Sequence, residues 1–167
     1  MLGDQATQAA HRAIYALSTL DLPAARAVKH DDRSTDRLRY EVENACLVLI
    51  ATQQPVARDL LTLTMAMYVA VELERCGDYA KGVAKAARRI IGNNASVEPI
   101  KPYNLVEMEA CASDMLQRAV NAFVNDDPLV AQIVLQDDAV VDRHYGELRT
   151  RVIGDMVAGT VPVGSGT

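Results

Sequence analysis

Apolar positions recur at helical spacing along most of the chain, and the clearest run lies in Val56–Ile91. There Leu60, Leu63, Met67 and Val71 form one stripe. Continued at the same spacing, the stripe reaches Glu74 and Asp78, which fall within about 40° of the apolar line at about 100° per residue. A carboxylate on a core-facing stripe costs free energy unless it is paired, hydrogen-bonded or bound to metal. Two readings follow. Either this is a solvated part of a long helix with Lys81 and Lys85 as counter-charges, or it is half of a cation site.

The same periodicity gives the other elements. A first helix spans Ala6–Leu20, with Ala10, Ala13, Ile14 and Leu17 on one side, and Asp21-Leu22-Pro23 ends it. Asp21 can cap the next helix, and Pro23 sits where a first turn tolerates it. The second helix, about Ala24–Thr52, carries two stripes. One is Leu38, Val42, Ala45 and Leu49. The other is Ala25, Val28, Asp32, Asp36, Glu43, Leu47 and Ile50, again interrupted by carboxylates. A helix apolar on two sides packs between neighbours. Gln53-Gln54-Pro55 forms a short turn, so the second and third helices are antiparallel neighbours. A linker at 93–102 separates the first domain, 1–92, from a second at 103–158. The second holds a helix from about Tyr103 to Asn125, a break at Asp126-Asp127-Pro128 and a fifth helix to about Val157. Residues 159–167 read as a disordered tail.

The short turn sets relative heights. Counting outward from Gln54 pairs Glu74 with Ser34, Asp78 with His30 and Glu72 with Asp36. Asp32/Asp36 and Glu74/Asp78 thus come to similar levels on adjacent helices. Four converging carboxylates repel unless cations neutralise them, and hard or borderline metals suit oxygen donors. The competing reading is a solvated acidic groove. His30 is the one histidine placed to add a ligand, and Gly77 and Gly82 are read as allowing close helix approach.

Composition narrows the function class. Half the residues are hydrophobic, yet there is no Trp and a single Phe, and the net charge is -5. This balance favours an all-α fold and argues against duplex nucleic acid or a polybasic membrane contact. Arg88-Arg89 is the one basic feature that stands out. Three scattered cysteines without a CxxC motif read as reduced thiols. No signal-peptide pattern opens the chain, and Met65–Val71 is too short an apolar run to cross a bilayer. The expectation is a cytoplasmic protein.

An internal repeat links the two halves. Arg12, Ala13, Ala16, Asp21, Ala25, Asp31, Asp32, Asp36, Arg37 and Glu41 recur without a gap as Arg118, Ala119, Ala122, Asp127, Ala131, Asp137, Asp138, Asp142, Arg143 and Glu147. Asp-x-x-x-Asp therefore appears twice, as Asp32/Asp36 and Asp138/Asp142. The repeat is incomplete: a counterpart of the third helix should begin near Pro162, where the chain stops. Glu43 is matched by Arg149.

Gln53-Gln54-Pro55-Val56-Ala57-Arg58-Asp59-Leu60, followed by Leu73-Glu74-Arg75-Cys76-Gly77-Asp78-Tyr79-Ala80, closely resembles the PhoU family of phosphate-transport accessory regulators. The resemblance covers roughly residues 5–157. It implies a helical bundle made of two similar three-helix repeats, here with the second incomplete. It also implies carboxylate motifs that hold multinuclear clusters of iron, zinc or similar ions. The ligands it implies here are Asp32, Asp36, Glu74 and Asp78 in the first repeat, with Asp138 and Asp142 in the second. Its members are non-enzymatic, cytoplasmic negative regulators of the phosphate-starvation response. They link the ATPase of a phosphate ABC transporter to a membrane sensor histidine kinase.

Two other readings stay in view. A metal-free helical adaptor would use its acidic grooves to bind basic protein surfaces. A di-metal carboxylate oxidase would need Glu-x-x-His on two helices, and no Glu here has His three residues later. The incomplete second bundle is expected to leave apolar surface along Leu116, Val120, Val134 and Ile153, which favours a homodimer.

Overall fold

Five helices make up the computed structural model, which describes residues 1–93 and 103–159 apart from the side chains at 29, 31, 32 and 93. They are α1 (Leu2–Thr19), α2 (Leu22–Gln53), α3 (Ala57–Asn93), α4 (Leu105–Val124) and α5 (Pro128–Val157). No strand occurs among the described residues, and the fold is an all-α helical bundle. The chain divides into two compact units, Met1–Pro99 and Ile100–Thr167. Most of the expected linker and tail lie outside the described residues; residue 93 closes α3, and Gly159 stands in a turn at φ 70°.

In the first unit α1 packs against both α2 and α3, which pack against each other. Asp21 starts α2 by accepting a hydrogen bond from the Ala24 backbone N–H at 2.9 Å, and Leu20 turns the chain with φ 55°. The core is a seam of small residues in which Ala13 and Ala16 of α1 meet Ala25 and Val28 of α2 and Ala80, Ala84 and Ala87 of α3. On α3 the buried positions are Ala70, Leu73, Gly77, Ala80, Ala84 and Ala87. That spacing of three and four residues is the 3.5-residue period of supercoiled helices. On α2, Ala25, Val28, Thr35 and Cys46 keep the same count.

This seam corrects the expected stripe on α3. Leu60 and Val71 are both 39% exposed, and Leu63 and Met67 are half-buried. Glu74 and Asp78 each stand one position past a seam residue, Leu73 and Gly77. They flank the core rather than interrupt it.

With 18 residues, α1 is about half as long as α2 and α3, at 32 and 37. At 1.5 Å per residue it spans about 27 Å, so the far end of the α2/α3 hairpin extends as a two-helix arm. Along that arm Leu47, Val48, Leu61, Met65 and Tyr68 are exposed.

The second unit is the hairpin of α4 and α5. Its turn repeats that of α1/α2. Asp126 takes the left-handed conformation of Leu20 with φ 54°, and Asp127 caps α5 by accepting from the Leu129 and Val130 N–H groups. The Asp127 N–H donates to the Ala122 carbonyl at 2.8 Å, as the Asp21 N–H does to Ala16 at 3.1 Å. The difference lies in what is covered. Ala25 and Val28 are 0% and 3% exposed, whereas their equivalents Ala131 and Val134 are exposed and half-buried. Of the residues expected to line an apolar face here, Leu116, Val120 and Val134 are half-buried and Ile153 is 49% exposed.

Candidate metal centre

The two acidic motifs lie on α2 and α3, which cross-pack at Thr35 and Gly77. A β-carbon built on Gly77 would stand 3.6 Å from the Thr35 methyl group. This approach corrects the register expected from the turn. Counting outward from Gln54 sets Gly77 opposite Asp31, four residues and about one helical turn (~6 Å) from the partner observed. Asp36 and Asp78 are the immediate sequence neighbours of the two contact residues, so both motifs border one point of the helix pair. The contact at Gly77 is of ordinary van der Waals length, and a β-carbon on Gly82 would meet nothing within 4 Å. Gly77 thus stands at the helix contact with room for a single β-carbon, whereas Gly82 takes no part in a close helix approach.

The candidate ligands differ in surroundings. Asp36 is half-buried and makes no hydrogen bond or ion pair among the described residues. Glu74 is also half-buried and is engaged in an interaction. Asp78 is exposed, and its Oδ1 accepts from Lys81 Nζ at 2.7 Å. Position 32 continues the heptad count of α2 between Val28 and Thr35, and the Asp32 side chain lies outside the described residues. Among the described residues no three His, Cys, Asp or Glu side chains converge on one point. Glu43, counted among the carboxylates of α2, is committed elsewhere: Arg39 Nη1 donates to its Oε1 at 2.6 Å, and the Arg39 guanidinium stacks 4.0 Å from the centre of the Tyr40 ring. His30 is exposed and has a partner of its own.

In donor chemistry the set fits a hard or borderline cation, since every candidate is a carboxylate. In charge, Asp36 is the member that a cation would neutralise, whereas Asp78 would have to leave Lys81.

Beside the Thr35/Gly77 contact, a cleft of about 220 Å³ opens between the three helices. Gln5, Gln8 and Arg12 of α1 line it with Ser34 and Thr35 of α2 and Gly77 of α3. The Gln5 Oε1 atom is buried without a hydrogen-bond partner among the described residues. The contribution of α1 was not anticipated from the sequence. Its signal was there: positions 5, 8 and 12 share one helical face, and all three side chains are polar.

In the second unit Asp138 and Asp142 are exposed on α5, one turn apart and without partners among the described residues. Their neighbour Asp137 is held by Arg118, whose Nη2 lies 2.7 Å from Asp137 Oδ2 while its Nε contacts Asp114 Oδ2, also at 2.7 Å. Asp138 and Asp142 are thus one turn apart on α5, and among the described residues no third ligand-type side chain joins them.

A helical hairpin that recurs along the chain, with an acidic pair at the same place in each copy and a second acidic motif on the helix that closes the first, defines a class of carboxylate-bearing helical-repeat proteins. Residues 1–87 and 105–165 match the PhoU domain, and the chain belongs to that family. It is 31% identical over 147 residues to the phosphate-specific transport system accessory protein PhoU homolog of Aquifex aeolicus, covering 87% of this chain and 65% of that one. The corresponding homolog of Caulobacter vibrioides is 34% identical over 146 residues, covering 85% and 63%. The chain thus spans just under two thirds of these two relatives. Among solved structures, the crystal structure of PhoU from Pseudomonas aeruginosa superposes with a TM-score of 0.82 at 28% identity, covering 93% of this chain and 74% of that one. The phosphate transport system regulatory protein PhoU from Streptococcus pneumoniae gives 0.81 at 27%, covering 94% and 72%. No helix among the described residues is long and apolar enough to cross a membrane.

Proposed function

We propose that this chain is a non-enzymatic regulator of phosphate uptake and phosphate homeostasis. It acts in the cytoplasm as a negative regulator of the phosphate-starvation response, between the ATPase of a phosphate ABC transporter and a sensor histidine kinase. One observation carries the reading: the family match over residues 1–87 takes in both motif stretches, Gln53–Leu60 and Leu73–Ala80. The relatives that share it are named as accessory proteins of phosphate-specific transport.

In this proposal Asp32, Asp36, Glu74 and Asp78 hold iron, zinc or a similar ion. The cation supplies positive charge at the α2/α3 contact and ties the two helices at one level. Asp138 and Asp142 offer a second, more open pair. The chain's own residues set the competition, because Lys81 holds Asp78 when no cation does. The Lys81–Asp78 pair equally favours a metal-free adaptor, so the two readings separate on metal content.

The functional test is complementation. Bacteria lacking their own PhoU homolog should show a derepressed starvation reporter in phosphate-rich medium, and expression of this chain should restore repression. A reporter that stays derepressed with the chain present and folded would overturn the proposal.

A further inference from the structure

The sequence offers Arg88-Arg89 as an isolated basic pair, but the fold places it in company. A groove of about 740 Å³ runs between the start of α2 and the last turns of α3. Arg26 comes from α2, and Lys85, Arg88 and Arg89 from α3, joined by Lys81 at one end. No acidic side chain lines the groove among the described residues. Arg26, Lys85, Arg88 and Arg89 are exposed and make no ion pair or hydrogen bond among the described residues. In a chain of net charge -5, four cations left without partners on one groove form a local field of the opposite sign.

Between the cations the floor is apolar and recessed: Ala25 is 0% and Ala84 1% exposed. We propose that this groove is the docking site for an acidic, amphipathic helical segment of another protein, which sets its apolar ridge on the floor and its carboxylates against the cationic rim.

Three features favour that occupant over other anions. The groove follows α3 from Lys81 to Gly92, about 17 Å at 1.5 Å per residue, which matches roughly three turns of a partner helix. Arg26, Lys85, Arg88 and Arg89 are all exposed at the rim, so they form no buried pocket that would enclose one compact anion such as phosphate. The floor lies below the rim, where a flat lipid surface cannot reach it. The proposal goes beyond the regulatory reading; none of the candidate ligands lines the groove, and its link to the metal centre is Lys81, which stands at one end and pairs with Asp78.

The test uses the whole chain and a displayed library of random 16-residue peptides, with the variant Arg26→Gln/Lys85→Gln/Arg88→Gln/Arg89→Gln as counter-selection. All four positions are exposed, so the variant should fold, which circular dichroism checks. Selected peptides are expected to carry Asp or Glu beside Leu-like residues at helical spacing. They should bind the variant at least tenfold more weakly, and the wild type more weakly as salt rises. Three results would overturn the proposal. One is selection without acidic enrichment, and another is peptides that bind the variant equally well. The third is groove-dependent binding of tripolyphosphate or of phosphatidylglycerol vesicles in place of peptides, which would assign the groove to small polyanions or to membrane.

Discussion

Thr35 of α2 and Gly77 of α3 face each other across the helix pair, with the threonine methyl 3.6 Å from where an alanine β-carbon would sit. Thr35 is 5% exposed and Gly77 is buried, so this contact belongs to the core. It also sets the level at which Asp36 and Asp78 stand.

The space at that contact makes a graded prediction. Gly77→Ala meets only an ordinary contact and removes a helix-interior glycine, so stability should rise by up to about 1 kcal/mol. Gly77→Leu must displace Thr35 and should cost about 1–3 kcal/mol by overpacking. Urea denaturation of both variants reads the difference, and a destabilised Gly77→Ala would mean that Thr35 leaves no room for a β-carbon there.

For the carboxylates, Glu74→Gln with Asp78→Asn keeps size and removes charge. If the four acids hold a cation, metal content measured by mass spectrometry after chelator-free purification should fall sharply, and metal-dependent thermal stabilisation should disappear. Unchanged metal content would favour the metal-free adaptor.

The two turns provide matched probes. Asp21→Ala and Asp127→Ala each remove an N-cap that accepts backbone hydrogen bonds. Each should cost about 1 kcal/mol, observed as a lower denaturation midpoint. Asn at either position should restore most of the loss.

Tyr103 gives a pH-dependent prediction. Its hydroxyl donates to Asp155 Oδ2 at 2.7 Å, and this bond, with burial and the carboxylate charge, raises the phenol pKa above its ordinary value near 10 against an opposing effect of Arg151. A raised folded-state pKa means that the stabilisation is fully present below the unfolded value and is lost as pH rises through the folded one. Tyr103→Phe should therefore be less stable than wild type from neutral pH to about pH 9. The gap should close in strongly alkaline buffer, as followed by urea denaturation at each pH.

The partly exposed apolar residues of the α4/α5 hairpin predict association. Sedimentation velocity should show a monomer–dimer equilibrium that shifts with concentration, and Val134→Glu with Ile153→Glu should move it toward monomer. A monomer at all concentrations would overturn the expected homodimer.

The helices, the Asp21 cap and the break at Asp126-Asp127-Pro128 were legible in the sequence, because Asp21-Leu22-Pro23 and Asp127-Pro128 are strong local signals and the spacing between them is regular. The α3 seam was not. Leu60, Leu63, Met67 and Val71 carry larger apolar side chains at helical spacing and drew the stripe toward them, yet burial follows a line made mostly of smaller residues, Ala70, Gly77, Ala80, Ala84 and Ala87. Small residues carry a weak hydrophobic signal but allow helices to meet closely. The register missed by about a turn for a related reason: a count from Gln54 takes no account of the positive φ at both Gln54 and Ala57, which re-aims the chain between the helices. The cationic groove joins residues 26 and 85–89, a pairing that only the antiparallel packing of α2 on α3 creates.

The overhang of the α2/α3 hairpin means that stability is not shared evenly along those two helices. Near Ala80–Ala87 a backbone amide is enclosed by three helices, whereas near Leu47 and Leu61 it is flanked by two whose apolar side chains still face water. Amide protons should exchange with solvent fastest around the Gln54 turn and progressively more slowly toward the seam, so that the hairpin opens like a zipper from its free end.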